Sequence, residues 1–212
     1  MDFDRELIAG RWVRRHKRFL LDVELDGGGL VTAHCANPGS MTGCGAPGAR
    51  VMLSHRPEPH RRLAYSLELV RAGRVWAGVN TALTNRIAAE AMEAGLVPRL
   101  RGFRTMRREV TYGNSRFDFL LDDPRRGRMW VEVKNVTLAE RGAAQFPDAV
   151  TERGARHVRE LAHAVSRGSR AAVLFIAQRA DVSWFEPAER IDPVFATALA
   201  EARRAGVIVE AW

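Results

Sequence analysis

The chain has 212 residues, 46% of them hydrophobic and 27% charged, which excludes a disordered or fibrous protein and allows one or two domains with real cores. No apolar run reaches membrane-spanning length, no signal-peptide pattern opens the sequence and two cysteines cannot form a disulfide framework, so we expect a cytoplasmic protein without a membrane partner. Lysine and arginine outnumber aspartate and glutamate by 33 to 25, and the net charge of +8 favours a polyanionic partner.

Residues 1–80 contain short apolar runs separated by turn signals, as expected for a small β-domain. Five strands in a segment of this length favour a closed barrel, and the OB-fold is the obvious candidate. A barrel this small is filled by its own side chains, so it would bind a partner on its outer surface. The predicted strands are WVRRHKRFLLDVEL, LVTAHCAN, ARVMLSH, LAYSLELVRA and RVWAGVN.

The first predicted strand carries a cluster of basic residues that could follow a phosphate backbone. Trp12 and Phe19 lie nearby in sequence and could stack on bases. The alternative is a solvated strand edge, because charged side chains also protect edges from pairing. The overall charge favours nucleic acid, and the candidate binding residues are Arg11, Arg14, Arg15, Lys17 and Arg18.

Residues 81–212 change in character, because helical periodicity now alternates with strands. Thr84 can cap a helix that ends at Gly95, and Asp192 can cap another that ends at Gly206. The run RAAVLFIAQR has the continuous apolar character of a buried central strand. We therefore predict an α/β domain with a mixed sheet over this range.

A predicted hairpin over residues 116–138 carries charged residues inside its apolar strands. Side chains alternate along a strand, so Glu132 and Lys134 share one face. The turn is centred near Arg125, which places Asp118 across from Glu132 and on the same face. Two carboxylates and one ammonium are therefore predicted to converge on the surface of the sheet.

Facing carboxylates repel each other, and a divalent cation between them would remove that repulsion. Mg²⁺, or Mn²⁺ in its place, takes hard oxygen ligands and often keeps waters and a substrate phosphate. The predicted ligands are Asp118, Glu132 and the carbonyl of Val133, and Lys134 would handle the attacking water. This set suits metal-assisted phosphodiester hydrolysis. The alternative is a surface salt bridge between Glu132 and Lys134, with Asp118 paired to Arg116.

Lysine is rare in this chain, which makes its two positions informative. Only Lys17 and Lys134 interrupt a basic set that is otherwise all arginine. Lysine is a compact ammonium whose pKa can shift, whereas arginine does not lose its proton. Lys134 is therefore predicted to be a position where a guanidinium would not serve.

The hairpin residues resemble the PD-(D/E)xK nuclease core, in which Asp and Glu-x-Lys hold a metal and a water. Over nearly its whole length the chain also resembles the sugar fermentation stimulation protein (SfsA) family. The resemblance is carried by the stretches KRFLLDVEL, NPGSMTG, YSLELV, GVNTALTNR, YGNSRFDFLL, VEVKNVTL, FPDAVTERGARHVREL and FEPAERIDPVF.

The resemblance implies an N-terminal OB-fold, a nuclease-like C-terminal domain, DNA binding with little sequence preference and a suggested regulatory role in sugar metabolism. It places Asp118, Glu132 and Lys134 on the nuclease motif. It also places Glu90 where related nucleases often have another acid. The stretch CANPGS departs from the family pattern, because we expect a threonine where Pro38 stands.

A helix predicted after the hairpin carries Arg153 and His157 four residues apart on one face, where both could touch a substrate. With Arg116, they complete the candidate nucleic-acid-binding residues. A capped, solvated helix is the alternative interpretation.

Three functions compete at this point. The first is a DNA-binding protein with an active Mg²⁺-dependent or Mn²⁺-dependent nuclease centre. The second is a non-catalytic DNA-binding regulator that keeps the nuclease scaffold. The third is a factor that binds or processes RNA, which an OB barrel would suit equally well. The sequence leaves open whether the protein forms a homo-oligomer.

Overall fold

The computed structural model describes residues 2–212, and its N-terminal part is a closed β-barrel. Antiparallel pairing runs from β3 through β2, β1 and β4 to β5, and a short parallel contact between β3 and β5 closes the ring. This confirms the predicted five-stranded barrel of the OB-fold class, while β6 pairs with β5 as an additional strand. The strands are β1 (Ile8–His16), β2 (Leu20–Leu25), β3 (Leu30–His34), β4 (Arg50–His55), β5 (Tyr65–Ala72) and β6 (Val75–Gly78).

The first predicted strand is in fact two strands, β1 and β2, joined by a tight turn. Lys17 and Arg18 have positive φ angles of 47° and 65°, which reverse the chain. Such angles usually belong to glycine or asparagine, so the sequence carries no turn signal at this place. The apolar half of the predicted strand is β2, and its Leu21 and Val23 are fully buried in the barrel core.

The C-terminal part contains a five-stranded mixed sheet, which confirms the predicted α/β domain, and helices pack on both of its faces. Its order is β14-β12-β9-β8-β7, in which β12 runs parallel to both neighbours and the others are antiparallel. A smaller sheet, β10-β11-β13, is formed by three further short strands that follow β9 in the chain. The strands are β7 (Thr105–Tyr112), β8 (Ser115–Asp123), β9 (Gly127–Val136), β10 (Leu138–Glu140), β11 (Ala143–Phe146), β12 (Arg170–Ala177), β13 (Trp184–Pro187) and β14 (Ile208–Ala211).

Three helices cover the sheet: α1 (Thr81–Glu93), α2 (Glu152–Ser166) and α3 (Pro193–Arg204). One core packs α1 against Phe119 and Val131, and another packs α2 and α3 against Phe117. Asp192 caps α3 as predicted, but Asn80 caps α1 instead of Thr84, which lies buried inside the helix. Within residues 2–212, no helix combines the length and apolar character needed to cross a membrane.

The hairpin of β8 and β9 has the register that its turn predicted. Phe119 pairs with Val131, and Leu121 pairs with Met129. The pairing ends at Phe119 and Val131, and Asp118 and Glu132 are the next residues beyond it. The polar residues therefore lie where the two strands begin to separate.

A barrel loop, residues 37–42, is fastened to the C-terminal part by Asp148. The Asp148 carboxylate accepts a hydrogen bond from the backbone N–H of Met41 at 3.0 Å, and its carbonyl accepts one from the Ser40 hydroxyl at 2.8 Å. Cys44 Sγ also lies 3.2 Å from the carbonyl oxygen of Thr137. These contacts join the barrel to the sheet at one edge of β9.

The fastening leaves no room for a side chain at Gly39. A Cβ at this position would lie 2.5 Å from Asp148 Oδ2, so we expect Gly39→Ala to lower the free energy of unfolding by about 1–3 kcal/mol. Gly27→Ala is the matched control, because nothing lies within 4 Å of an added Cβ there. Urea unfolding of both variants measures the difference. Equal stability of the two variants would show that Asp148 can move enough to accommodate a Cβ at position 39.

Candidate metal centre

The polar residues of the hairpin lie in a cleft of about 530 Å³ between the barrel and the C-terminal part. Asp118, Glu132 and Lys134 line this cleft together. The barrel contributes Arg18 and the loop residues 37–39, and the C-terminal part adds the segment 146–151 and Arg153. The cleft therefore brings the predicted acidic pair, the predicted lysine and two of the predicted basic residues into one site.

Asp118 is held by one hydrogen bond to each carboxylate oxygen. Asn85 Nδ2 donates to Oδ1 at 2.7 Å, and the backbone N–H of Val133 donates to Oδ2 at 2.7 Å. Burial, and next the negative charge of Glu132, raises the pKa of Asp118 to about 6. The ionised form of Asp118 is therefore disfavoured unless a positive charge arrives.

Glu132 is 5% exposed, and one of its oxygens receives all its polar contacts. Lys134 Nζ and His157 Nδ1 each lie 2.6 Å from Oε1. Burial alone would raise the pKa of Glu132, but the hydrogen bond from His157 and the charge of Lys134 hold it below its usual value. The other oxygen, Oε2, is buried and has no hydrogen-bond partner among residues 2–212.

His157 sets the orientation of Glu132 through a chain of side chains on α2. Arg153 Nε lies 3.4 Å from His157 Nε2, and a guanidinium can only donate. The His157 Nε2 atom must then accept, which leaves the proton on Nδ1, where it is donated to Glu132. Arg153 and His157 thus hold Oε1 of Glu132, and they leave Oε2 without a hydrogen-bond donor.

The partnerless Oε2 atom of Glu132 makes this centre suitable for a divalent cation. A buried carboxylate oxygen without a partner is costly, and a hard cation is the ligand that such an oxygen prefers. The raised pKa of Asp118, which is caused by burial and next by the charge of Glu132, shows that this pair of acids also lacks full compensation. No group of three or more His, Cys, Asp or Glu able to hold a metal occurs in the described part of the chain. A cation here would therefore bind through two carboxylates, main-chain oxygen and water.

The structure separates the predicted basic residues into different groups. Arg18 and Arg153 line the cleft. Arg14 pairs with Asp22 at 2.7 Å. Arg116 pairs with Glu109 at 2.8 Å, and Arg11 donates to the carbonyl of Gly48 at 2.9 Å. Lys17 is exposed in the turn after β1.

Arg15 was expected to bind phosphate, and the structure shows a different task. Its guanidinium donates to the carbonyls of Asn37 at 2.8 Å and Gly39 at 3.1 Å, while its Nε donates to the carbonyl of Arg18 at 2.8 Å. Arg15 therefore holds the barrel loop against the β1–β2 turn. Its donors are directed at protein oxygens and away from solvent.

Two other expectations are wrong. His157 is only 2% exposed and is directed at Glu132, so it cannot contact nucleic acid directly. Glu90 does not line the cleft, and its carboxylate lies 3.3 Å from Arg86 on the outer side of α1. Asn85, more than one turn earlier on the helix, takes the place facing Asp118. Sequence reasoning missed Asn85 because an amide carries no charge that marks it as part of a metal site.

Family models match both parts of the chain. The model described as the SfsA N-terminal OB domain matches residues 13–79, and the model described as the sugar fermentation stimulation protein RE domain matches residues 82–212. The chain belongs to the sugar fermentation stimulation protein family. The resemblance predicted from sequence motifs is thereby confirmed.

Individual relatives cover almost the whole chain. A sugar fermentation stimulation protein homolog from Geobacter sulfurreducens is 54% identical over 98% of this chain and 89% of its own length. The homolog from Rhodospirillum centenum is 53% identical over 98% of this chain and 90% of its own length. Among solved structures, Pyrococcus furiosus SfsA in complex with Ca²⁺ matches with a TM-score of 0.91 and 31% identity, over 100% of this chain and 89% of that one. The family fold thus spans both parts.

The raised pKa of Asp118 predicts a pH-dependent cost in the metal-free protein. Because the folded chain binds this proton more tightly than the unfolded chain, Asp118 lowers stability as the pH rises from about 4 to about 6. In EDTA at pH 7.5, Asp118→Asn should raise the free energy of unfolding by about 1–2 kcal/mol, after allowance for one lost acceptor. Urea unfolding at pH 7.5 and pH 4 measures the effect.

The increase in the free energy of unfolding caused by Asp118→Asn should vanish at pH 4, where the wild-type Asp118 carboxyl is largely protonated. Asp122→Asn is the control on the same strand, because this side chain is partly exposed and its ion pair with Arg128 is long, at 3.8 Å. A gain of the same size at both pH values would contradict the electrostatic explanation.

The contact of His157 with Glu132 predicts a second effect on stability. His157→Ala removes a buried donor and leaves both Glu132 and Arg153 short of a partner, so we expect a loss of about 2–4 kcal/mol. His163→Ala on the same helix removes an exposed histidine and should cost less than about 1 kcal/mol. Equal losses in urea unfolding would exclude the role assigned to His157.

Proposed function

We propose that this protein binds DNA with little sequence preference and cleaves phosphodiester bonds with the help of Mg²⁺ or Mn²⁺. The observation that carries the proposal is the buried, partnerless Oε2 of Glu132 beside Asp118 in a cleft that also holds Lys134. A structural salt bridge would satisfy Glu132 and would need no second acid. The same cleft carries cationic residues on both walls, as a phosphate-binding site requires.

A divalent cation in this site would be held by Asp118, Glu132 and the carbonyl of Val133. When bound, such an ion lowers the pKa of a water and neutralises charge on the phosphate. The solved Pyrococcus furiosus relative holds Ca²⁺, which supports a preference of this fold for hard divalent cations. Magnesium is proposed because it suits two carboxylates, waters and a phosphate.

The protein side chains supply position and charge. Lys134 is anchored on Glu132 at 2.6 Å and can donate its remaining protons to the attacking water or to a phosphate oxygen. Arg18 and Arg153 stand on opposite walls of the cleft and would orient the backbone on either side of the scissile phosphate. The regulatory role that the family name suggests would act through the same binding of DNA.

The first experiment asks whether purified protein cleaves plasmid, single-stranded DNA and branched DNA with Mg²⁺ or Mn²⁺. We expect cleavage, and we expect Glu132→Gln and Lys134→Arg each to slow it by about 100-fold or more, since the first removes a charge that would hold the metal and the second replaces the compact ammonium at the reacting phosphate. Lys134→Arg keeps the positive charge and so tests the need for a compact ammonium. Undiminished cleavage by Glu132→Gln would refute the centre.

The second readout does not depend on turnover. Mg²⁺ should raise the unfolding midpoint of the wild-type protein and leave that of Glu132→Gln unchanged, because binding to the folded state alone stabilises it. A stabilised protein that cleaves nothing would support the non-catalytic regulator. Competition between DNA and RNA of equal length identifies an RNA-directed protein if RNA wins.

A further inference from the structure

The acidic pair lies at the base of the cleft. Glu132 is 5% exposed, and the side chain of Lys134 is 13% exposed. Both groups are therefore recessed in a cleft of about 530 Å³. The phosphates of a duplex lie on a rigid helix, so they reach recessed carboxylates less readily than the phosphates of a flexible strand.

The barrel wall of the cleft is fixed in place. Arg15 holds the carbonyls of Asn37 and Gly39, and Asp148 holds the backbone N–H of Met41. Gly39 leaves no space for movement towards Asp148, because even a Cβ would lie 2.5 Å from its carboxylate. Widening the cleft would break these contacts together, so the substrate must adapt to the cleft.

An exposed aromatic ring stands next to the barrel wall. Phe19 follows the cleft residue Arg18, directly precedes β2 and is 43% exposed. Its carbonyl accepts a hydrogen bond from Cys35, two residues before the cleft residue Asn37. The opposite wall carries another exposed apolar side chain, Val150, at 71% exposure. One exposed apolar side chain thus lies on a wall of the charged cleft, and an exposed aromatic ring is the sequence neighbour of the other wall.

We infer that the substrate is single-stranded DNA, with one phosphate in the cleft between Arg18 and Arg153 and a neighbouring base stacked on Phe19. This inference rests on the proposed function and specifies its substrate. A flexible strand can place a phosphate at the base of the cleft while its bases turn outward. Stacking on an exposed ring accepts any base, which agrees with little sequence preference.

The test measures binding in EDTA, so that cleavage does not interfere. Fluorescein-labelled 12-nucleotide DNA is titrated with the full chain, as a single strand and as a blunt duplex of the same sequence at the same salt concentration. We expect the single strand to bind at least tenfold more tightly. Equal affinity, or a preference for the duplex, overturns the inference.

Phe19→Ala tests the stacking position. A lost base stack should weaken binding of the single strand by about fivefold to 150-fold and leave duplex binding unchanged. Phe3→Ala is the matched control, because Phe3 is similarly exposed at 38% but lines a separate pocket with Asp4 and Arg56. Equal affinities of the two variants for the single strand would overturn the role of Phe19.

These outcomes separate the inference from the proposed function. Binding to neither form of DNA would refute DNA binding itself. Binding with a duplex preference, together with Mg²⁺-dependent cleavage, would leave the proposed function intact and refute only the single-strand substrate. Circular dichroism of each variant checks that the fold is retained.

Discussion

The structure depends on the confinement of two carboxylates, Asp118 and Glu132, on neighbouring strands with little water around them. Their mutual repulsion would be severe without the donors that surround them. Asn85 from α1 and the backbone of Val133 hold one acid, while His157 from α2 and Lys134 hold the other. Helices on opposite faces of the sheet thus both serve the same pair of acids.

The arrangement is incomplete in a specific way. Each donor to Glu132 approaches Oε1, so the charge of the pair is only partly balanced and Oε2 has no partner in the described chain. A fold selected for stability alone would replace such a pair with apolar residues of similar size. The electrostatic cost of these incompletely balanced acids is typical of sites that are completed by a ligand.

The sequence predicted the architecture and the acidic pair because both depend on local patterns. The turn near Arg125 was sufficient to predict the register of the hairpin, but strict alternation fails at Asp118, because Phe117 packs with α2 and α3 while Phe119 packs with α1. The supporting residues could not be predicted in this way. His157 and Arg15 resemble phosphate-binding residues in sequence, and only the packing of α2 and of the loop at residues 37–42 reveals that they are turned towards protein groups. The turn at Lys17 was missed because residues other than glycine rarely adopt its backbone angles.

The shared cleft limits how far the two parts can be treated as separate modules. Gly78 in the barrel donates its backbone N–H to the carbonyl of Gln178 at 2.8 Å, and Asp148 reaches in the other direction to Met41. Cutting the chain between β6 and α1 would remove one wall of the cleft that holds the acidic pair. It would also expose polar groups that now form hydrogen bonds between the barrel and the C-terminal part. Truncated fragments would then be poor reporters of the intact protein. Fusion or insertion is better tolerated at the open turn around Gly27 and Gly28, where an added Cβ would meet nothing within 4 Å.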